Sequence, residues 1–198
     1  MTEVPASRTR TWWIAVLFMV GSLCFALGAV PAYVSLVGAA ADGMTFFVGS
    51  IFFTSAATLQ FLDDRNAANG IQLVGTVFFN VSTFRAMAET LGNDSVEGVV
   101  WRPDAFGSVC FLVASWLAYA AVGPRRLSWR PSDRGWWVAA LNLIGSILFG
   151  LSAIGAYVVP ATGELLSTAV ANGGTFLGAL GFLVGAALLL PPSAPSGG

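Results

Sequence analysis

Neither lysine nor histidine occurs in this 198-residue chain, and all nine basic residues are arginine. The two absences remove three chemistries at once: a Schiff-base lysine, a histidine-ligated haem or metal, and a histidine general base. Charge of either sign is scarce as well. Only 10 % of the residues are charged and 56 % are hydrophobic, whereas a soluble domain is about a quarter charged. A soluble core of this size would need a polar exterior that the chain lacks, so the bilayer is the implied partner. A net charge of −1 leaves no electrostatic footprint for nucleic acid, and none is expected. Cysteine is limited to Cys24 and Cys110, each in the middle of an apolar run. Burial in hydrocarbon keeps a thiol inert, no Cys-x-x-Cys spacing suggests redox work, and a bridge between the two stays open.

What the chain does have is long apolar runs with one pattern inside each. A glycine, a small residue, two variable residues and a phenylalanine recur at Gly21-Ser22…Phe25, Gly49-Ser50…Phe53, Gly75-Thr76…Phe79, Gly107-Ser108…Phe111, Gly145-Ser146…Phe149 and Gly178-Ala179…Phe182. One copy per run argues for a repeated helical unit. Glycine and the residue four further on share a helix face, so each copy sets a notch one turn from an aromatic ring, and helices in lipid associate through such small residues. Gly21, Gly49, Gly75, Gly107, Gly145 and Gly178 are therefore read as packing positions. Gly174, Gly178, Gly181 and Gly185 extend the last notch into a stripe, which suits either intrachain packing or a homo-oligomer.

A span needs about 20 apolar residues, and the runs fall near 12–37, 44–62, 71–91, 105–122, 136–158 and 174–190. The expectation is an all-α polytopic membrane protein with six transmembrane helices. It divides into a cytoplasmic segment 1–11, a first hairpin 12–62, a divergent middle hairpin 63–123, an arginine-rich cytoplasmic loop 124–135, a third hairpin 136–190 repeating the first, and a disordered tail 191–198. Residues 12–34 match residues 136–158 at 12 of 23 positions, down to Ala32-Tyr33-Val34 against Ala156-Tyr157-Val158. This duplication argues that the first run is a retained helix rather than a cleaved signal peptide, despite the arginines before it. Seven arginines fall on the side of the amino terminus, residues 63–70 and residues 124–135, and only Arg85 and Arg102 on the other. By the positive-inside rule both termini face the cytoplasm of a bacterial inner membrane. Trp12, Trp13, Trp101, Trp136 and Trp137 lie at run ends, where indoles favour the interface.

Val20-Gly21-Ser22-Leu23-Cys24-Phe25 with Phe47-Val48-Gly49-Ser50-Ile51-Phe52-Phe53, and again Ile144-Gly145-Ser146-Ile147-Leu148-Phe149 with Phe176-Leu177-Gly178-Ala179, resemble the YrhK-like family of small bacterial membrane proteins. The resemblance implies a helical membrane domain and supplies no catalytic residues.

The third run is the anomaly, with Gln72, Asn80, Ser82, Thr83, Arg85 and Glu89 in a segment that ought to be apolar. An intramembrane charge costs about 2.5–3.5 kcal/mol on insertion scales and is a functional candidate by default. Arg85 and Glu89 can pair at i,i+4. Alternatively Arg85, about 21 Å along the helix from Ile71, snorkels to the outer interface. Asn80, Asn142 and Gln60 form a candidate polar cluster inside the bundle. The acidic pairs Asp63-Asp64 and Asp94…Glu97 read as solvated loop charges. No catalytic constellation, cofactor site or metal-ligand spacing can be assembled. The expected role is therefore a structural or interaction component of the membrane, not an enzyme; the alternative is a small solute or anion carrier whose pathway runs past Asn80, Arg85 and Glu89.

Overall fold

The computed structural model describes residues 8–91, 101–124 and 127–191, with the side chain of Trp101 excepted. Asp94, Glu97, Arg125, Arg126, residues 1–7 of the expected amino-terminal segment and residues 192–198 of the expected tail lie outside them.

The described residues form α1 (Arg8–Gly28), α2 (Pro31–Val37), α3 (Ala39–Asp63), α4 (Ala67–Thr90), α5 (Trp101–Ala121), α6 (Arg134–Gly155) and α7 (Thr168–Leu189). Five of these, α1, α3, α5 over Arg102–Ala121, α6 and α7, are long and apolar enough to cross a membrane. That is one fewer than expected. The shortfall is α4, whose Asn69, Gln72, Asn80, Arg85 and Glu89 dilute its apolar residues.

The first run is not one helix to residue 37. Pro31 cannot donate the backbone hydrogen bond that would continue α1, and instead opens the short α2. Gly38, at φ +85°, turns the chain directly into α3, so residues 39–43 are helical rather than loop. The matching connection after α6 is built differently. There Val158 bridges Leu165 in an antiparallel pair, and Gly163 takes the positive φ of +71° at the turn.

Side-chain caps set the starts of α4 and α6. Asn66 accepts from the Asn69 amide and Asp133 from the Gly135 amide, each satisfying a donor that the helix leaves orphaned. Two bonds tie helix ends together: Arg10 pairs with Asp63 at 2.9 Å, and Arg134 donates to the Leu190 carbonyl at 2.6 Å. One end of the bundle thus gathers Arg8, Arg10, Arg65, Arg130 and Arg134. At this arginine end Trp136 is buried, at 3 % exposure, and donates to the Ser128 carbonyl at 2.7 Å, so it pins the 127–133 loop rather than resting at the surface.

The six long helices form a closed ring in the order α1, α3, α4, α5, α6, α7, with α7 returning to α1. Among the described residues no two helices touch across the ring except through side chains. Within each of three neighbouring pairs the motif glycines meet. A Cβ built on Gly21 would lie 2.9 Å from the Gly49 carbonyl, one on Gly75 3.2 Å from that of Gly107, and one on Gly145 3.0 Å from that of Gly178. The contact is reciprocal, and the notch of each helix receives the partner's phenylalanine: Phe53 lies against Gly21, Phe79 against Gly107 and Phe149 against Gly178. The stripe Gly174, Gly178, Gly181 and Gly185 is filled along its whole length by α6 of the same chain.

Candidate functional site

Because the notch brings each helix pair close, the residue four positions on is directed at the ring axis. All six motif phenylalanines converge there, each no more than 7 % exposed. They form two triangles. Phe25, Phe79 and Phe149 have centroid separations of 6.3, 5.9 and 5.8 Å, and Phe53, Phe111 and Phe182 of 6.4, 5.9 and 5.9 Å. The triangles are joined inside each helix pair at 5.6 Å (Phe25–Phe53), 5.0 Å (Phe79–Phe111) and 5.2 Å (Phe149–Phe182). These are ordinary aromatic contact distances, and the layer leaves no volume for a water molecule.

The axis opens on either side of this layer. Toward the arginine end lies a cavity of about 80 Å³ lined by Gln60, Gln72 and Asn142 among apolar neighbours, enough for a few waters. Toward the far end lies one of about 350 Å³, to which all six long helices contribute; its polar residues are Thr83, Asp104, Ser152, Asn172 and Thr175. The spacing explains who lines each. Residues seven from a motif phenylalanine lie two turns along the same face, and these include Gln60, Gln72 and Asn142 on one side and Phe46, Asp104 and Thr175 on the other.

Hydroxyls collect around the closed layer. Ser22, Ser50, Thr76, Ser108 and Ser146 occupy the small position of their motif copies and are at most 3 % exposed. Most spend their proton locally, as when Thr76 donates to the Leu73 carbonyl and Ser146 to that of Asn142. Ser50 and Thr83 additionally meet at 2.9 Å across α3 and α4. Among the described residues Ser22 Oγ, which is buried, has no hydrogen-bond partner.

The structure separates the residues singled out by sequence. Gln60 and Asn142 line one cavity together with Gln72, and Gln60 donates to Asn69 Oδ1 at 2.9 Å. Asn80, Arg85 and Glu89 line neither axial cavity. Among the described residues the buried Asn80 Oδ1 has no hydrogen-bond partner, Arg85 is half-buried and Glu89 exposed. Sequence reasoning missed Asp104. Its one signal was a carboxylate seven residues before Phe111, on the same helix face; standing just before the run 105–122, in the first turn of α5, it read as a helix-end charge.

Family models, curated proteins and solved structures return no match to this chain.

Proposed function

We propose that the protein is a six-span integral membrane protein of the bacterial inner membrane that passes a small solute along the axis of its helix ring, shut in this conformation by the six phenylalanines. The observation that carries the reading is the pair of cavities on one axis, of about 80 and 350 Å³, separated by a single aromatic layer. Polar side chains in a membrane protein turn toward the bundle interior or a wet cavity, and here they flank the layer while the outside is apolar.

The sixth span is α4. It stands in the ring between α3 and α5 and presents Val74, Val77, Val81 and Phe84 outward, while its polar residues Gln72 and Thr83 serve the axis. Three hairpins of one repeated design account for the reciprocal glycine contacts and for the two phenylalanine triangles. With five arginines gathered at one end, that end is cytoplasmic by the positive-inside rule.

A structural or interaction component is the competing reading, and the watertight aromatic layer favours it. Flux separates the two. Purified protein reconstituted in vesicles should pass small osmolytes faster than protein-free vesicles in stopped-flow light scattering. Removing the stacked pair Phe79 and Phe111 (Phe→Ala at both) should raise the rate several-fold, and adding Ala86→Trp, which fills the far cavity, should abolish the gain. If neither the native protein nor the opened variant exceeds protein-free vesicles, the ring is a scaffold. If Ala86→Trp leaves the gain intact, the solute does not use the axis.

A further inference from the structure

The far cavity has a chemical sign. Among the described residues its one ionisable side chain is the Asp104 carboxylate, and no arginine lines it. Among the described residues Asp104 has no salt-bridge partner. The hydroxyls have their protons engaged elsewhere. Thr83 Oγ1 donates to the Phe79 carbonyl at 2.7 Å. Ser152 Oγ donates to the Ala171 carbonyl at 2.6 Å and lies 2.7 Å from Thr175 Oγ1, so Thr175 is the donor in that pair. What Thr83 and Thr175 have left is lone pairs. The aromatic residues Phe25, Phe79 and Phe149 lie on the side of the closed layer and Phe46 in the wall, and their ring faces attract cations as well.

A carboxylate held in such a place is costly unless it takes up a proton or a positive charge meets it, and a bound cation is the relief that keeps the charge. We propose that the far axial cavity binds a small protonated amine, with the Asp104 carboxylate as its counter-ion, hydroxyl lone pairs as acceptors for its N–H groups and the phenylalanine rings around its alkyl part. A bare metal ion suits the site poorly. Among the described residues no group of three acidic or thiol side chains gathers anywhere, and about 350 Å³ lies within the roughly 300–1,000 Å³ of small-molecule sites. An anion is disfavoured by the carboxylate and by the spent hydroxyl protons, the Asn172 amide being the one polar side chain of the lining with N–H groups to offer. The amine can be a free solute or the ammonium of a lipid headgroup reaching in from the far side, because the same groups would recognise either.

This inference deepens the conduit reading by naming its solute class, but binding does not require the aromatic layer to open, so the two fail separately. The probe is ethanolamine, followed by ligand-observed NMR on the full-length protein in maltoside micelles free of ammonium lipid. Saturable binding is expected, with ethylene glycol, its neutral counterpart, competing at least tenfold more weakly. Asp104→Asn should weaken ethanolamine at least tenfold and Asp104→Glu by only a few-fold. Adding phosphatidylethanolamine assigns the source: displacement of the probe marks a headgroup site, and no displacement a site for a free amine. Equal competition by ethylene glycol, which is read on the native protein and needs no variant to fold, would refute the site. Absence of saturable binding, or native affinity in a folded Asp104→Asn variant, would do so too.

Discussion

Gly173 and Gly174 are neighbours on α7, yet an added methyl group would meet opposite fates at the two positions. A Cβ on Gly174 would lie 2.7 Å from the Leu148 carbonyl oxygen and 2.9 Å from both the backbone nitrogen and the Cβ of Ser152. Two of those three atoms are main chain of α6, which no side-chain rotation can move. Relief requires α6 and α7 to separate by several tenths of an ångström along a contact that continues through Gly178, Gly181 and Gly185. Overpacking of this kind costs about 1–3 kcal/mol, offset by the roughly 1 kcal/mol that alanine gains over glycine in a helix. A backbone clash belongs at the upper end of that cost, so Gly174→Ala should destabilise by about 1–2 kcal/mol net. A Cβ on Gly173 meets nothing within 4 Å, leaving only the helix-propensity gain, and Gly173→Ala should stabilise by up to about 1 kcal/mol. Reversible unfolding in mixed micelles titrated with dodecyl sulfate, followed by tryptophan fluorescence, reads both. The measurement is the difference between the two variants, predicted at about 1–3 kcal/mol, which removes any common effect of detergent. If Gly174→Ala is as stable as Gly173→Ala, the close packing of α6 on α7 described above is wrong.

Three further outcomes follow from other residues. Ser22→Ala should leave stability unchanged or raise it by about 1 kcal/mol in the same assay, because the buried hydroxyl has no partner, whereas Ser50→Ala should lower it by about 1 kcal/mol through loss of the 2.9 Å contact with Thr83; the reverse order would contradict the hydrogen-bond assignment. In a background lacking Cys24 and Cys110, an impermeant thiol reagent applied to intact cells should label Thr162→Cys and spare Leu127→Cys, both of which sit at exposed positions, and labelling of Leu127→Cys alone would invert the proposed orientation. Arg85→Gln should leave vesicle flux unchanged, since Arg85 lines neither axial cavity, and a loss of flux in the folded variant would return the pathway to α4.

Local features of the sequence carried the helices and the packing code. Apolar runs of membrane-spanning length announce helices whatever their neighbours, because the bilayer leaves the backbone no other way to satisfy its hydrogen bonds short of a closed barrel. A glycine four residues before a phenylalanine places both on one face by the helical period alone, so Gly21, Gly49, Gly75, Gly107, Gly145 and Gly178 could be read as contacts before any contact was seen. Direction around the ring is another matter. That Phe25, Phe79 and Phe149 form one triangle and Phe53, Phe111 and Phe182 another depends on α7 closing against α1, a contact between the two ends of the chain that no local pattern encodes. The axis in turn decides which polar residues matter: Asp104 and Thr175 acquire a cavity because their helices face it, while Asn80, on the same helix as Gln72, does not. Ala32-Tyr33-Val34 and Ala156-Tyr157-Val158 make the point at the smallest scale. The same three residues are helical after Pro31 and, at Val158, part of an extended bridge to Leu165, because a tripeptide's intrinsic preference is worth less than the proline that precedes it or the strand partner that tertiary structure supplies.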